Sequence, residues 1–463
     1  MNSPRDPTTR SARPEWSRRG FLGAILAAGA APLFIPSRLL GAEAPSKLLR
    51  IGCIGTGRMG HANMKTAIGA GAKTRSRVVA VCDVDRNRLL NAKRVAEGLN
   101  REMHADEAGE VSAHSDYREL LAREDIDGVI LSTPDFAHTF IALEAVRAGK
   151  GLYVEKPLTF TIPEGQALVR AVRERGVVLQ TGSMQRSMTH FHRVCWLVRN
   201  GRIGAIQRIE VTLPRDRGAG KGNPMPVPET LDYAGWMGPT PDAPYIEARV
   251  HPQGAGVALG RPGWMQIERY CRGMVCNWGA HMYDIAQWGL GVDFDSGPVE
   301  VSARGEFPDR GLYDVHTQFT GEARYANGVV MSSTTATGET SRVRFIGTDG
   351  WMSAERGNFA ASNRDLLKER PKGGTPLATS NNHLANFLDC LRSGATPVAP
   401  VEVGHRSNTV CVLHHLSMKL GRTIRWDPIT EQIQGDADAA QRLHGAYRPG
   451  YALPAGTPTA ALG

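Results

Sequence analysis

The sequence predicts an α/β protein whose N-terminal half is a doubly wound, largely parallel sheet. Three observations carry this prediction. A short apolar strand runs straight into Gly55-Thr56-Gly57-Arg58-Met59-Gly60 and then a helical stretch. Further short apolar strands alternate with helices up to about residue 183. The chemically distinctive side chains fall at the carboxyl ends of those strands, where such sheets bind ligands.

The first strand is LLRIGCIG, and the helix after the glycines extends to about Gly69. In G-x-G-x-x-G the first glycine permits a tight turn, the second admits a pyrophosphate close to backbone amides, and the third lets helix pack on strand. The helix N-terminus adds a positive dipole end for the phosphates. The second strand, RVVAVCD, ends at Asp83, 23 residues beyond Gly60. That is near the spacing at which an acid meets the adenosine ribose and repels a 2′-phosphate, so NAD is favoured. Arg86 follows, placed to stack on adenine or to accept that phosphate, which keeps NADP admissible. DGVILSTP (127–134) and GLYVEKP (151–157) each precede a helix, the second starting near Pro163, and GVVLQTGS (176–183) is another strand. Thr133, Pro134, Asp135 and His138 follow the first of these strands, Glu155 and Lys156 the next, and Gln185 and Arg186 the third. A Rossmann dinucleotide-binding domain is therefore expected over residues 46–183, ahead of a second domain over 184–463.

Residues 1–44 read as a targeting segment. Arg18 and Arg19 precede an apolar run that ends at Ala42-Glu43-Ala44, an A-x-A cleavage pattern. The run is short for a membrane span and is interrupted by Pro32 and Pro36, so no stable membrane anchor is expected after cleavage. Ser17-Arg18-Arg19-x-Phe21-Leu22 resembles a twin-arginine signal, which exports folded proteins to the periplasm.

Composition narrows the function classes. The chain has 463 residues, 41% hydrophobic and 22% charged, enough for two or three globular domains. Its net charge of +9 is scattered among 46 acids without a basic stripe, which argues against nucleic acid. Seven irregularly spaced cysteines fit neither a disulfide framework nor a zinc pattern, and read mainly as buried small hydrophobes. No metal site is expected.

The glycine motif, the strand-end Asp83, Thr133 to His138 as T-P-x-x-x-H, and Glu155-Lys156-Pro157 together resemble the Gfo/Idh/MocA oxidoreductases over essentially the whole chain after the signal. The resemblance implies a C-terminal α/β domain on an open, mostly antiparallel sheet. AIQRIEVTLP, PVEVSARGEF, YDVHTQFTGEARYA, GVVMSSTTA and RVRFIGT read as its strands, with NHLANFLDCLRSG and 404–420 as closing helices. An open sheet of this kind usually packs against another copy, which makes a homo-oligomer an open expectation.

The resemblance also implies a helix bearing D-x-G-x-H-x-x-D against the nicotinamide. NWGAHMYDIAQW (277–288) matches it with Asn277 in place of the first acid. As a helix it would place Asn277, His281, Asp284 and Trp288 on one face. His281 is then the general acid/base and Lys156 a hydrogen-bond donor and relay to the substrate hydroxyl. Asn277, Asp284 and Arg186 are candidate substrate contacts, although Asp284 fits a structural pairing equally well and Arg186 could meet a substrate carboxylate or only brace the strand end. Asn277 can orient a hydroxyl but cannot support the histidine electrostatically.

The expected activity is an exported NAD(P)-dependent oxidoreductase acting on a sugar, sugar acid or cyclitol. Two alternatives stand beside it. One is an NAD-recycling glycoside hydrolase, lyase or sugar transhydrogenase with a tightly held cofactor. The other is a non-catalytic sugar-binding protein that keeps the cofactor as a structural element.

Overall fold

The computed structural model describes residues 48–104, 109–253, 260–338 and 341–455; the expected targeting segment and part of the loop before Arg261 lie outside the described residues. The first sheet has six strands: β1 (Leu49–Ile54), β2 (Ser76–Cys82), β3 (Ser112–His114), β4 (Gly128–Leu131), β5 (Gly151–Val154) and β6 (Leu179–Thr181). Their order is β3-β2-β1-β4-β5-β6 and every pair is parallel. The chain reverses direction across the sheet between β1 and β4, and a ligand crevice is expected at that switch point. These strands read as unbroken apolar runs because both faces are covered: β4 and β5 are buried throughout.

Helices α1 (Arg58–Thr74), α2 (Arg86–His104), α3 (His138–Arg147) and α4 (Ile162–Arg175) make the crossovers. Helix α4 starts at a capping box in which Thr161 and Glu164 satisfy each other's backbone amides, and it stops at Gly176 with φ 67°. One face of the sheet packs Ile141, Val154 and Leu168. The other packs Ile51, Met64 and Ile68 against Leu384, Phe387 and Leu388. The last three residues belong to a helix over His383–Ser393, which the sequence division places in the second domain. It returns to the first sheet because Gly128 and Gly151 leave room there for Leu391, whose methyls a Cβ at either glycine would strike at 2.6 and 2.3 Å.

The second sheet has nine strands: β7 (Ile206–Pro214), β8 (Pro298–Glu306), β9 (Gln318–Tyr325), β10 (Val330–Ala336), β11 (Arg342–Gly347), β12 (Gly350–Glu355), β13 (Asn358–Ala361), β14 (Ile424–Asp427) and β15 (Gln432–Ile433). The order is β13-β12-β11-β7-β10-β9-β8-β14-β15, antiparallel throughout except for β7 with β10. Burial alternates along β11 and β10, so one face forms a core and the other stays polar. Helices α5 (Thr189–Arg199), α6 (Gly279–Leu290), α7 (His383–Ser393) and α8 (Val401–Leu420) complete the layers. Of these, α5, α6 and α8 contribute Phe191, Ile285 and Val410 to the core under the nine-stranded sheet.

Candidate active site

A cavity of about 280 Å³ opens at the carboxyl ends of β1, β2, β4 and β5. Its nucleotide side is built by backbone constraints. Gly55 has φ 79°, and a Cβ there would lie 2.8 Å from the backbone of Ser132 and Thr133. A Cβ at Gly60 would lie 1.8 Å from the Gly55 carbonyl oxygen, so only glycine lets α1 pack this closely. Gly57 caps α1 without any side-chain acceptor, and Gly57, Arg58 and Met59 line the cavity. Uncapped first-turn amides and a space without Cβ atoms fit a pyrophosphate.

Asp83 lines the same cavity. Its Oδ2 accepts from the Thr56 amide at 2.7 Å and the Thr56 hydroxyl at 2.9 Å, and its Oδ1 accepts from the Asp85 amide at 2.9 Å. Of about four acceptor sites on a carboxylate, one remains for a ribose hydroxyl. Arg86 is exposed and does not line the cavity; the arginine of α2 that does is Arg88, one half-turn on. Arg88 approaches the glycine turn so closely that a Cβ at Gly57 would meet its guanidinium at 2.8 Å.

Thr133, Pro134 and His138 all border the cavity. His138 is buried between two carbonyl oxygens, those of Thr133 and Pro157, each 2.9 Å from a ring nitrogen. Burial lowers its pKa to about 4 against the pull of the two carbonyl oxygens, and the neutral ring, with a single N–H, donates to one of them. Asp135 is buried at 3% exposure with Oδ2 unpartnered. Desolvation raises its pKa to about 7 against the opposing pull of Lys156.

A strap from the C-terminal part of the chain crosses the nucleotide side. Asp85 pairs with Leu231 in an isolated β-bridge, the Arg86 amide donates to Thr230, and the Asp232 amide donates to Val84. Asp85 Oδ2 also meets His251 Nε2 at 2.7 Å and accepts from Gln253 Nε2 at 3.2 Å. Trp236 and His251 of this strap line the cavity.

The other end of the cavity gathers the E-K-P lysine and the late histidine. Glu155 is buried, accepting from Asn63 at 2.8 Å and from the Lys156 amide at 3.2 Å. Lys156 Nζ donates to the Asn277 carbonyl oxygen at 3.2 Å. That oxygen is free for a local reason. The expected single helix is broken: a short turn, Met274–Asn277, precedes α6, and the His281 amide donates to Trp278, three residues back, instead of to Asn277. His281 is 4% exposed, and its Nδ1 has no hydrogen-bond partner. Desolvation, together with the positive fields of Lys156 and Arg356, lowers its pKa well below 6.5. The ring is therefore neutral and able to accept a proton.

Not every residue on the expected helix face reaches this site. Arg186 and Asp284 bond each other instead of the cavity. Arg186 Nε lies 3.0 Å from both Asp284 oxygens, and its Nη2 donates to Asp284 at 2.7 Å and to Asp293 at 2.8 Å. The guanidinium also rests 4.8 Å over the Trp288 ring. Burial opposes its charge, but Asp284 and Asp293 outweigh that and raise its pKa. The substrate-binding role expected for Arg186 and Asp284 is thus corrected to a buried brace, since both are at most 2% exposed and committed to each other. Gln185 is fully buried and lies outside the cavity, which its neighbour Met184 lines instead. Asn277 does line it, with Trp278 beside it. Sequence reasoning missed Arg356, Arg261 and Trp264, which reach the cavity from distant loops without any local motif. All seven cysteines are buried and free, as expected of small hydrophobes.

Two family profiles match the chain: an oxidoreductase family with an NAD-binding Rossmann fold over residues 49–183, and the C-terminal alpha/beta domain of that family over 216–453. The scyllo-inositol 2-dehydrogenase (NAD(+)) of Bacillus subtilis is 26% identical over 76% of this chain and 88% of its own length. The uncharacterized oxidoreductase YrbE of the same organism is 29% identical over 41% of this chain, a match that spans about half of YrbE, at 48%. Among solved structures, the WlbA dehydrogenase from Bordetella pertussis in complex with NADH and UDP-GlcNAcA aligns with a TM-score of 0.59 at 18% identity, covering 82% of this chain and 99% of that one. Levoglucosan dehydrogenase in complex with NADH and L-sorbose aligns at 0.57 and 18%, covering 82% and 99%. These structural likenesses share the fold: a parallel Rossmann sheet followed by a mostly antiparallel one. The chain belongs to the Gfo/Idh/MocA family of NAD-dependent oxidoreductases.

Proposed function

We propose that this protein is an exported dehydrogenase that oxidises one secondary hydroxyl of a sugar, sugar acid or cyclitol. The observation that carries the reading is the meeting of Lys156 and His281 in one cavity, with Lys156 tethered to the Asn277 carbonyl oxygen. The inositol dehydrogenase named above supports the hydroxyl-bearing substrate class. Export rests on the twin-arginine pattern alone.

NAD, when bound, supplies the hydride acceptor. The start of α1 at Gly57, Arg58 and Met59, shaped by Gly55 and Gly60, would hold its pyrophosphate, and Asp83 would keep one acceptor site for the adenosine ribose. Lys156 donates to the substrate hydroxyl oxygen and lowers the cost of removing its proton. His281, neutral and desolvated, accepts that proton as the carbonyl forms. Asn277 orients a neighbouring hydroxyl through its amide. Position 277 offers His281 no carboxylate to raise its basicity.

A second reading has one observation in its favour. The strap anchored at Asp85 crosses the nucleotide side, which suits a cofactor that is recycled in place by a hydrolase, lyase or transhydrogenase. The test is to purify the mature protein from a twin-arginine-competent host, release and quantify bound nicotinamide cofactor, and assay NADH formation with a panel of polyols. NADH formation with exchangeable NAD supports the dehydrogenase. Near-stoichiometric bound cofactor without net NADH moves the reading to recycling, and protein that neither contains nor binds NAD refutes both.

A further inference from the structure

The reactive end of the cavity brings a second cation, Arg356, to the lining that holds Lys156. Arg356 stands at the turn between β12 and β13, where Gly357 takes φ 84° and donates its amide to His190 Nε2 of α5 at 3.3 Å. That hydrogen bond pins the hairpin tip over the cavity, which Arg356 lines. Its guanidinium sits 4.6 Å over the ring of Trp278, whose other neighbour is His281, with ring centroids 5.9 Å apart.

Among the described residues, no carboxylate lies within ion-pair distance of Arg356. The charge of Glu155 acts on it from beyond that distance, while the Glu155 carboxylate accepts from Asn63 and the Lys156 amide. A guanidinium resting on an aromatic face keeps its N–H edge for a planar acceptor, and a carboxylate fits that edge with two hydrogen bonds.

We propose that Arg356 is the anchor for a carboxylate on the substrate, so that the protein acts on sugar acids, such as uronates or aldonates, in preference to neutral sugars and cyclitols. This rests on the dehydrogenase reading above. The anchor also has a consequence for the proton acceptor. A bound carboxylate cancels part of the positive field that Arg356 imposes on His281, so an acidic substrate makes its own base stronger.

The test uses the NAD-loaded mature protein. NADH formation is followed with glucuronate and gluconate against glucose and myo-inositol, in wild type, Arg356→Gln and Arg356→Lys. Calorimetric titration with glucuronate gives a readout independent of turnover, and thermal melts verify folding. The acid-to-neutral ratio of kcat/KM is expected to favour the acids and to fall about 10- to 100-fold in Arg356→Gln, mainly through KM, with partial recovery in Arg356→Lys. An unchanged ratio, or a preference for neutral polyols, overturns the anchor and leaves the dehydrogenase standing. Glucuronate binding that depends on Arg356, without NADH from any probe, keeps the anchor and retires the dehydrogenase. Absence of both turnover and acid binding overturns the anchor as well.

Discussion

Removal of Asp284 separates a brace from a substrate contact. In wild type the Arg186 guanidinium, 2% exposed, makes three hydrogen bonds to Asp284 and one to Asp293. Asp284→Ala leaves Arg186 buried with a single distant-side carboxylate and a void beside Trp288. Breaking a buried pair from one side costs about 3–5 kcal/mol, because the remaining charge cannot recover its hydration. Solvent screening offers no discount at 1% exposure. Asp284→Asn keeps the shape and one oxygen acceptor, so it should lose less than Asp284→Ala. Urea unfolding followed by circular dichroism reads both values, with NAD affinity measured in parallel below the transition. If Asp284→Ala unfolds within about 1 kcal/mol of wild type while KM for the substrate rises, the brace is wrong and Asp284 is a substrate contact after all.

Three further outcomes follow from the site. His281→Ala should lower kcat by about 10²- to 10⁴-fold with bound cofactor unchanged, measured by NADH formation and by cofactor release from denatured protein; because the imidazole stays neutral well below pH 6.5, its protonation should not set an acid limb near that pH in wild type. Asp135 has a raised folded-state pKa of about 7, so its contribution to stability is present below the unfolded value of 3.8 and is lost as pH rises through 7. Asp135→Asn should therefore stabilise the protein at pH 8, by up to roughly 4 kcal/mol, and lose that advantage at pH 4, as urea midpoints at the two pH values will report. Gly60→Ala drives a Cβ to 1.8 Å from the Gly55 carbonyl oxygen and should abolish NAD binding or soluble expression, checked by dye-independent cofactor titration of any soluble fraction.

The first sheet was legible because its strands are buried on both faces and the glycine motif encodes a backbone need, seen in the φ of Gly55 and the contact at Gly60. The second sheet was legible as strands, through alternation, but not as an order: nothing local tells β7 to lie between β11 and β10. Lys156 and His281 could be found because each sits in a recognisable local frame. The choice between substrate contact and brace for Arg186 and Asp284 was not legible, for a physical reason. A carboxylate on a helix face reads identically whether it meets solvent, ligand or an arginine 98 positions away. Arg356 was invisible because Glu355-Arg356-Gly357-Asn358 has the composition of an ordinary hairpin turn.

The strap over Asp85 has a kinetic meaning. It ties the loop at the end of β2 to residues 230–232 by backbone hydrogen bonds and to His251 by a side-chain bond, and a nucleotide that left only by opening this strap would have to part those bonds together. When that opening is slower than the chemistry, two successive substrates meet the same dinucleotide, one leaving it reduced and the next reoxidising it. The rate law then takes double-displacement form, with parallel double-reciprocal lines and no dependence on external NAD. A compartment poor in dinucleotides would not slow such an enzyme.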